Sequence, residues 1–202
     1  MPTIRHDVAL VSQQFSPVCW LACAAMVLQY KRSMTPTAAG LGIQGEDFRT
    51  PGYTVPPETP GDPETYAHLR RLGFTVTTSP RVRGEMPRVA RSAHTHMAPP
   101  RSAFGSPFDM TPGEELIHWL LVEKGPFILN HHVGAFSYGP SWQNPRGGAH
   151  AVVITGLETN APRSRVYFNN PWGDKDVTTT TTSIEGAWRR FEQGGGQPIV
   201  YL

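Results

Sequence analysis

The stretch from Val18 to Lys31 is apolar on nearly every side. Val18, Trp20, Leu21, Ala22, Ala24, Ala25, Met26, Val27 and Leu28 follow one another without a Pro or Gly. A helix that is apolar all round belongs in the middle of a fold rather than on its surface. Ser16 is placed to cap this helix and Pro17 suits its first turn. Cys19 then falls in the first turn and Cys23 one turn deeper. Residues 1–15 read as an extended lead-in, and the Pro/Gly-rich residues 45–61 as a loop. Asp62-Pro63 opens a second helix carrying Tyr66, Leu69 and Leu72, which Gly73 stops. Phe74 to Thr78 alternates like a short strand. Residues 79–110 show no period and read as a long mobile loop.

The pattern changes after that. Thr111-Pro112-Gly113-Glu114 has the form of a capping box with Pro at the first helical position. Leu116, Ile117, Trp119, Leu120 and Leu121 give that helix an apolar face, and Lys124-Gly125-Pro126 ends it. Phe127 to His131, Ala149 to Gly156, Val166 to Asn169 and Pro198 to Leu202 are rich in Val, Ile, Tyr and Phe and predict strands. The β-branched run Thr178 to Thr182 predicts another, with a short helix around Ile184 to Phe191. A helical first part and a mostly antiparallel β second part make an α+β fold. No internal repeat is visible.

Composition narrows the class. The chain has 202 residues, 39% of them hydrophobic and 17% charged, which predicts a folded protein. The formal net charge of +2 gives no argument for nucleic acid. Arg81, Arg83, Arg88, Arg91 and Arg101 cluster in one Pro-rich stretch and read as a solvated basic loop. No run approaches the roughly 20 apolar residues that span a bilayer, so no stable membrane insertion is expected. Val18 to Leu28 resembles a signal-peptide core, but the polar Gln13, Gln14 and Ser16 precede it, and only Arg5 charges the N-terminus. With two cysteines four residues apart, no disulfide framework is available and at least one thiol is expected free.

Cys19 has the position of a nucleophile. A free thiol with a pKa near 8.5 is only a few per cent thiolate at pH 7. A helix N-terminus and a nearby imidazolium both favour the thiolate, so the expected thiol is an acidic one. Cys23 faces apolar neighbours and reads as packing. Gln13, six residues before Cys19, is placed to donate to an oxyanion beside the Cys19 N–H, with Gln14 the alternative. Among eight histidines, His150 stands out because a strand begins there, just after Gly147-Gly148. His118 reads as a helix-surface residue, and His131 and His132 lie near a strand end, placed to line the cleft. Asn169 and Asn170 follow about twenty residues later, in Asn-Asn-Pro-Trp-Gly. A base needs its second ring nitrogen held by an acceptor. Neighbouring strand residues face opposite ways, so only one asparagine can do this.

Taken together, these segments resemble papain-like cysteine peptidases. Gln13 to Ala25, with Cys19-Trp20 opening the helix, resembles the nucleophile segment. Gly148-Ala149-His150-Ala151-Val152-Val153-Ile154-Thr155-Gly156 resembles the histidine strand, and Asn170-Pro171-Trp172-Gly173 the asparagine site. His150 lies about 130 residues after Cys19, as in that family. Glu114 to Phe127 fits the compact bacterial branch with the staphopains and the AvrRpt2-type effector proteases. The chain departs from that branch in having no propeptide before Cys19, and in carrying Asn170 where relatives often have Asp.

The resemblance implies a single catalytic domain over 1–202, with a mainly helical lobe over 1–125 and a mainly β lobe over 126–202. It implies Cys19 as nucleophile, His150 as base and acid, Asn170 as orienter and Gln13 as oxyanion donor, with Trp20 and Trp172 supporting. No metal or cofactor is implied. The expected partners are a protein or peptide substrate and a cognate inhibitor or immunity protein. Export as an effector or toxin without a cleaved signal peptide follows as an expectation. The rivals are other thiol acyl transfer (peptidoglycan amidase, deubiquitinase-like isopeptidase or transglutaminase), a catalytically dead binding module, and a metal site from His94, His96, His131 and His132.

Overall fold

The computed structural model describes residues 3–13, 18–33, 41, 61–86, 110–139, 148–159 and 164–202. Among these, strands β1 (Thr3–Arg5), β2 (Thr75–Thr77), β3 (Phe127–His132), β4 (Ala149–Glu158), β5 (Arg165–Asn170), β6 (Asp174–Thr180) and β7 (Ile199–Tyr201) form one sheet. Its order is β2-β7-β3-β4-β5-β6, every pairing is antiparallel, and β1 pairs with the far end of β4. The helices are α1 (Cys19–Arg32), α2 (Pro63–Arg71), α3 (Ser79–Glu85), α4 (Pro112–Trp119) and α5 (Thr181–Gln193). The architecture is α+β with an open antiparallel sheet, and the two early strands β1 and β2 belong to the same sheet as the later five.

Alternation along the strands sorts the core into two layers. Ile128, Ala151, Val153 and Val200 face α1 on one side of the sheet. Leu129, Val152, Ile154, Phe168 and Ile199 pack with Leu116 and Ile117 of α4 and Ile184 and Trp188 of α5 on the other. The all-round apolar character of α1 has a direct cause. Its residues from Cys19 to Leu28 are all buried. They share one cluster with the sheet on one side and with Tyr66 and Leu69 of α2 on another. Each buried Leu, Val or Met side chain there contributes roughly 1.5–3 kcal/mol.

The helix ends follow local chemistry. Asp62 caps α2 by accepting from the Glu64 N–H at 2.8 Å. Thr111 and Glu114 form the reciprocal capping box of α4. After Trp119 the hydrogen bonding widens into a π-helical turn, Leu120–Lys124, ended by Gly125 at φ +75°. The N-cap of α1 is Val18, with no side-chain cap; Ser16 and Pro17 lie outside the described residues.

Two expectations need correction. Ser79–Glu85 is helical, with Pro80 in its first turn, where an aperiodic loop is expected; residues 87–109 lie outside the described residues, as do residues 45–60. Thr181 and Thr182 open α5 rather than extending a strand, because the Thr180 side chain accepts from the Ser183 N–H and caps the helix there. Gly156 marks a close crossing. A Cβ there would lie 2.7 Å from the Ile4 carbonyl oxygen, beside the bulge in β4 where β1 joins the sheet.

Candidate active site

Strand β4 carries His150 at its second residue, buried on the face that also holds Val152 and Ile154. Strand β5 ends at Asn170, which is fully buried. The two meet side chain to side chain, with His150 Nε2 3.0 Å from Asn170 Oδ1. The amide orientation is over-determined. Oδ1 also accepts from the Trp172 N–H at 3.3 Å, while Nδ2 donates to the Tyr138 carbonyl at 3.0 Å and to Asp174 Oδ2 at 3.4 Å. An amide oxygen only accepts, so the ring proton sits on Nε2. The neutral imidazole therefore keeps its lone pair on Nδ1, where a base needs it. Asn169 points the other way: its Nδ2 donates to the Val8 carbonyl at 2.9 Å and its Oδ1 accepts from the Asp176 N–H at 3.0 Å. Of the adjacent pair, Asn170 is the one that reaches the histidine.

Asn170 owes its place to a tight hairpin. Pro171-Trp172-Gly173 forms the turn, closed by a bond from the Gly173 N–H to the Asn170 carbonyl at 3.0 Å. Gly173 adopts φ +123°, a region that favours glycine. Asn170 and Asp174 become the closing cross-strand pair, so Asp174 arrives beside the amide. Gly139 makes room for that carboxyl group. It lies at φ +100°, and a Cβ there would stand 2.8 Å from the Asp174 carboxyl carbon.

Cys19 is the first residue of α1 and is 4% exposed. Its thiol meets backbone, at Ala151, Trp20 and Cys19 itself, rather than hydrogen-bonding the imidazole. Ala151 directly follows His150 on β4. Gln13 is buried, and its N–H donates to the Pro171 carbonyl at 2.7 Å, one residue from Asn170. Gln14 lies outside the described residues. Among the described residues the structure brings His150 and Asn170 together side chain to side chain, and it does not set Cys19 against either of them in a triad-like geometry. Cys23 is fully buried in the α1 core.

The electrostatics reverse the expected sign at the thiol. Burial pushes Cys19 up to about 12, and the backbone contacts at Ala151, Trp20 and Cys19 only partly oppose it. Burial likewise pushes His150 down to about 4 against the opposing hydrogen bond to Asn170. At neutral pH the resting site therefore holds a thiol and a neutral imidazole, not an ion pair.

Of the two histidines near the end of β3, His131 is the one that lines the surroundings of His150. His131 lies directly opposite His150 on β3. Their ring centroids are 5.8 Å apart, nearly perpendicular. Tyr138 stacks on His131 at 5.4 Å and stands edge-on to His150 at 5.4 Å. His131 Nδ1 donates to the His132 carbonyl at 2.9 Å, and Nε2 has no hydrogen-bond partner among the described residues. Burial, with the charge of His150 as the next cause, pushes His131 down to about 3. A cross-strand His-His pair is visible only once the β3–β4 register is known.

The remaining candidates sit as follows. Trp20 is fully buried and packs edge-on to His68 at 5.4 Å, on the α2 side of α1. Trp172 reaches Asn170 through its backbone N–H, and its side chain is half-buried. His118 is half-buried on α4, and His132 is exposed against Phe191 with ring centroids 5.1 Å apart. Among the described residues no group of three His, Cys, Asp or Glu is arranged to hold a metal ion; His94 and His96 lie outside them. Among the described residues no helix is long and apolar enough to cross a membrane. No model of a known protein family matches the chain, and no curated protein matches it either.

Proposed function

We propose that this chain is a thiol hydrolase of the papain-like type, a cysteine peptidase of the compact bacterial branch, with one catalytic domain over residues 1–202. The observation that carries the reading is the His150–Asn170 hydrogen bond. It fixes a neutral imidazole as its Nε2–H tautomer and leaves Nδ1 as the basic nitrogen, one residue from the backbone that the Cys19 thiol touches. The position of Cys19 at the first residue of a buried helix, and of Gln13 beside the Asn170 turn, supports the same assignment.

The chemistry is acyl transfer. Because the resting pair is neutral, proton movement accompanies attack. The Cys19 S–H proton passes to His150 Nδ1 as sulfur bonds to the substrate carbonyl carbon. The oxygen then carries the negative charge, and the Cys19 N–H and the Gln13 amide are the donors assigned to it. When the C–N bond breaks, the amine leaves with the proton from His150. Water then attacks the thioester, gives one proton to His150 and releases the acid, and that proton returns to sulfur. Asn170 holds the imidazole in one orientation throughout. A protein or peptide is the substrate, and a cognate inhibitor the partner; export as an effector or toxin belongs to the same proposal.

The test is turnover by paired variants. The purified chain is assayed on casein, on a ubiquitin conjugate and on cell-wall material, which separates a peptidase from an isopeptidase and an amidase. Cys19→Ala is expected to abolish turnover with the fold intact, and Cys23→Ala to keep most of it. Equal loss in both defeats the assignment of the nucleophile.

A further inference from the structure

The proposed machinery ends at Asn170, but the hydrogen-bond chain continues past it. Asn170 Nδ2 donates to Asp174 Oδ2 at 3.4 Å as well as to the Tyr138 carbonyl. Asp174 is 9% exposed and is the cross-strand partner of Asn170 in the hairpin that presents the amide. The backbone next to Tyr138 is shaped around it. Gly139 has φ +100°, and any larger residue there would press on the Asp174 carboxyl group. The 138–139 segment thus supplies one acceptor for Asn170 and leaves room for the other.

We infer that Asp174 is a positioning residue for the proposed reaction: its carboxylate holds the Asn170 amide with Oδ1 toward His150 and places a negative charge at the end of the chain that meets the imidazolium. The inference rests on the reading of His150 as the base. During attack the proton from Cys19 arrives on Nδ1 while Nε2–H stays on Asn170 Oδ1. Positive charge on the ring draws density from Oδ1, which makes the Nδ2–H bonds stronger donors toward Tyr138 and Asp174. In a buried setting a fixed negative charge at that end favours the charged ring far more than it would in water. A turned amide would instead present N–H groups to Nε2 and drive the proton to Nδ1, where it blocks the base. The part assigned to Asp174 is exerted through Asn170, whose amide its carboxylate meets.

The experiment measures the alkylation rate of Cys19 by iodoacetamide at pH 8, read by peptide mass spectrometry, in the full chain, Asp174→Asn and His150→Ala. Asp174→Asn keeps the shape and removes the charge. It is expected to slow Cys19 about tenfold, equivalent to one pKa unit of lost support for the imidazolium. An unchanged rate in Asp174→Asn, beside a slowed His150→Ala, overturns the inference and leaves the functional reading standing. An unchanged rate in His150→Ala removes the functional reading and the inference with it. A second measurement needs no variant. Nitrogen-15 NMR of the wild-type chain at pH 7.5 is expected to find the His150 proton on Nε2; a proton on Nδ1 means that the chain runs the wrong way and overturns the inference even where Asp174→Asn does not fold.

Discussion

Lowering the pH should destabilise this protein well before its carboxylates titrate, because two neutral histidines are buried side by side. An unfolded histidine has a pKa near 6.5. In the folded chain burial pushes His150 down to about 4 and His131 down to about 3. The folded state therefore binds fewer protons than the unfolded state between these limits. Stability falls as the pH drops through 6.5, and the loss continues until the folded pKa of each residue is reached. Each pH unit costs about 1.4 kcal/mol per residue in that window. From pH 7.5 to pH 5 the two together remove about 4 kcal/mol, a large part of a typical domain's stability. Urea unfolding followed by tryptophan fluorescence at pH 7.5, 6 and 5 reads this directly. His131→Phe keeps a ring stacked on Tyr138 but cannot titrate, so its pH-dependent loss should be about half that of the wild type. A midpoint that stays flat from pH 7.5 to 5, or an equal slope in His131→Phe, refutes the account of the buried pair.

Other outcomes follow from the same site. Alkylation of Cys19 by iodoacetamide should rise steadily with pH up to 9 and show no plateau below pH 7, since burial pushes the thiol up to about 12; a fast, pH-independent rate at pH 5–6 shows a preformed ion pair instead. Asn170→Ala removes one acceptor group and one donor group that together make four hydrogen bonds. At about 1 kcal/mol for each bond it should lower the unfolding free energy by roughly 3–4 kcal/mol and reduce kcat about a hundredfold with little change in KM; a kcat within threefold of wild type removes Asn170 from the mechanism.

Much of the fold is written in local pattern. The continuous apolar run of α1 identifies a central helix because no face of it could be left to water. Asp62-Pro63 and Thr111-Pro112-Gly113-Glu114 mark helix starts through side-chain oxygens that reach the first free N–H groups, and both caps form. Where contacts between distant segments decide, the sequence is mute. Ser79–Glu85 has one buried aliphatic residue, Val82, and so shows no helical period. The Thr181-Thr182 pair has strand propensity, yet a single hydroxyl cap at Thr180 places it in a helix.

The site divides in the same way. Residue types and spacing single out Cys19, His150, Asn170 and Gln13 as candidates, and of these the described residues bring His150 and Asn170 into contact. Only the β4–β5 pairing turns Asn170 toward the imidazole and Asn169 toward Val8. The acidity expected of the thiol from its helix position is reversed by burial, a property of the packed fold and not of the first turn alone. Asp174, four residues after Asn170, carries a usable signal, since a Pro-Trp-Gly turn makes its flanking residues face each other. His131 is legible only as a histidine near a strand end, its pairing with His150 needs the strand register, and Tyr138 carries no signal.

The most direct measurement is a crystal structure of the chain inactivated by a peptide bearing a thiol-reactive group at its carboxyl end. The account predicts one covalent bond, to Cys19 Sγ, with His150 Nδ1 turned to the sulfur and Nε2 still resting on Asn170. A bond to Cys23 instead, or an imidazole whose Nδ1 stays beyond hydrogen-bonding reach of the modified sulfur, contradicts it.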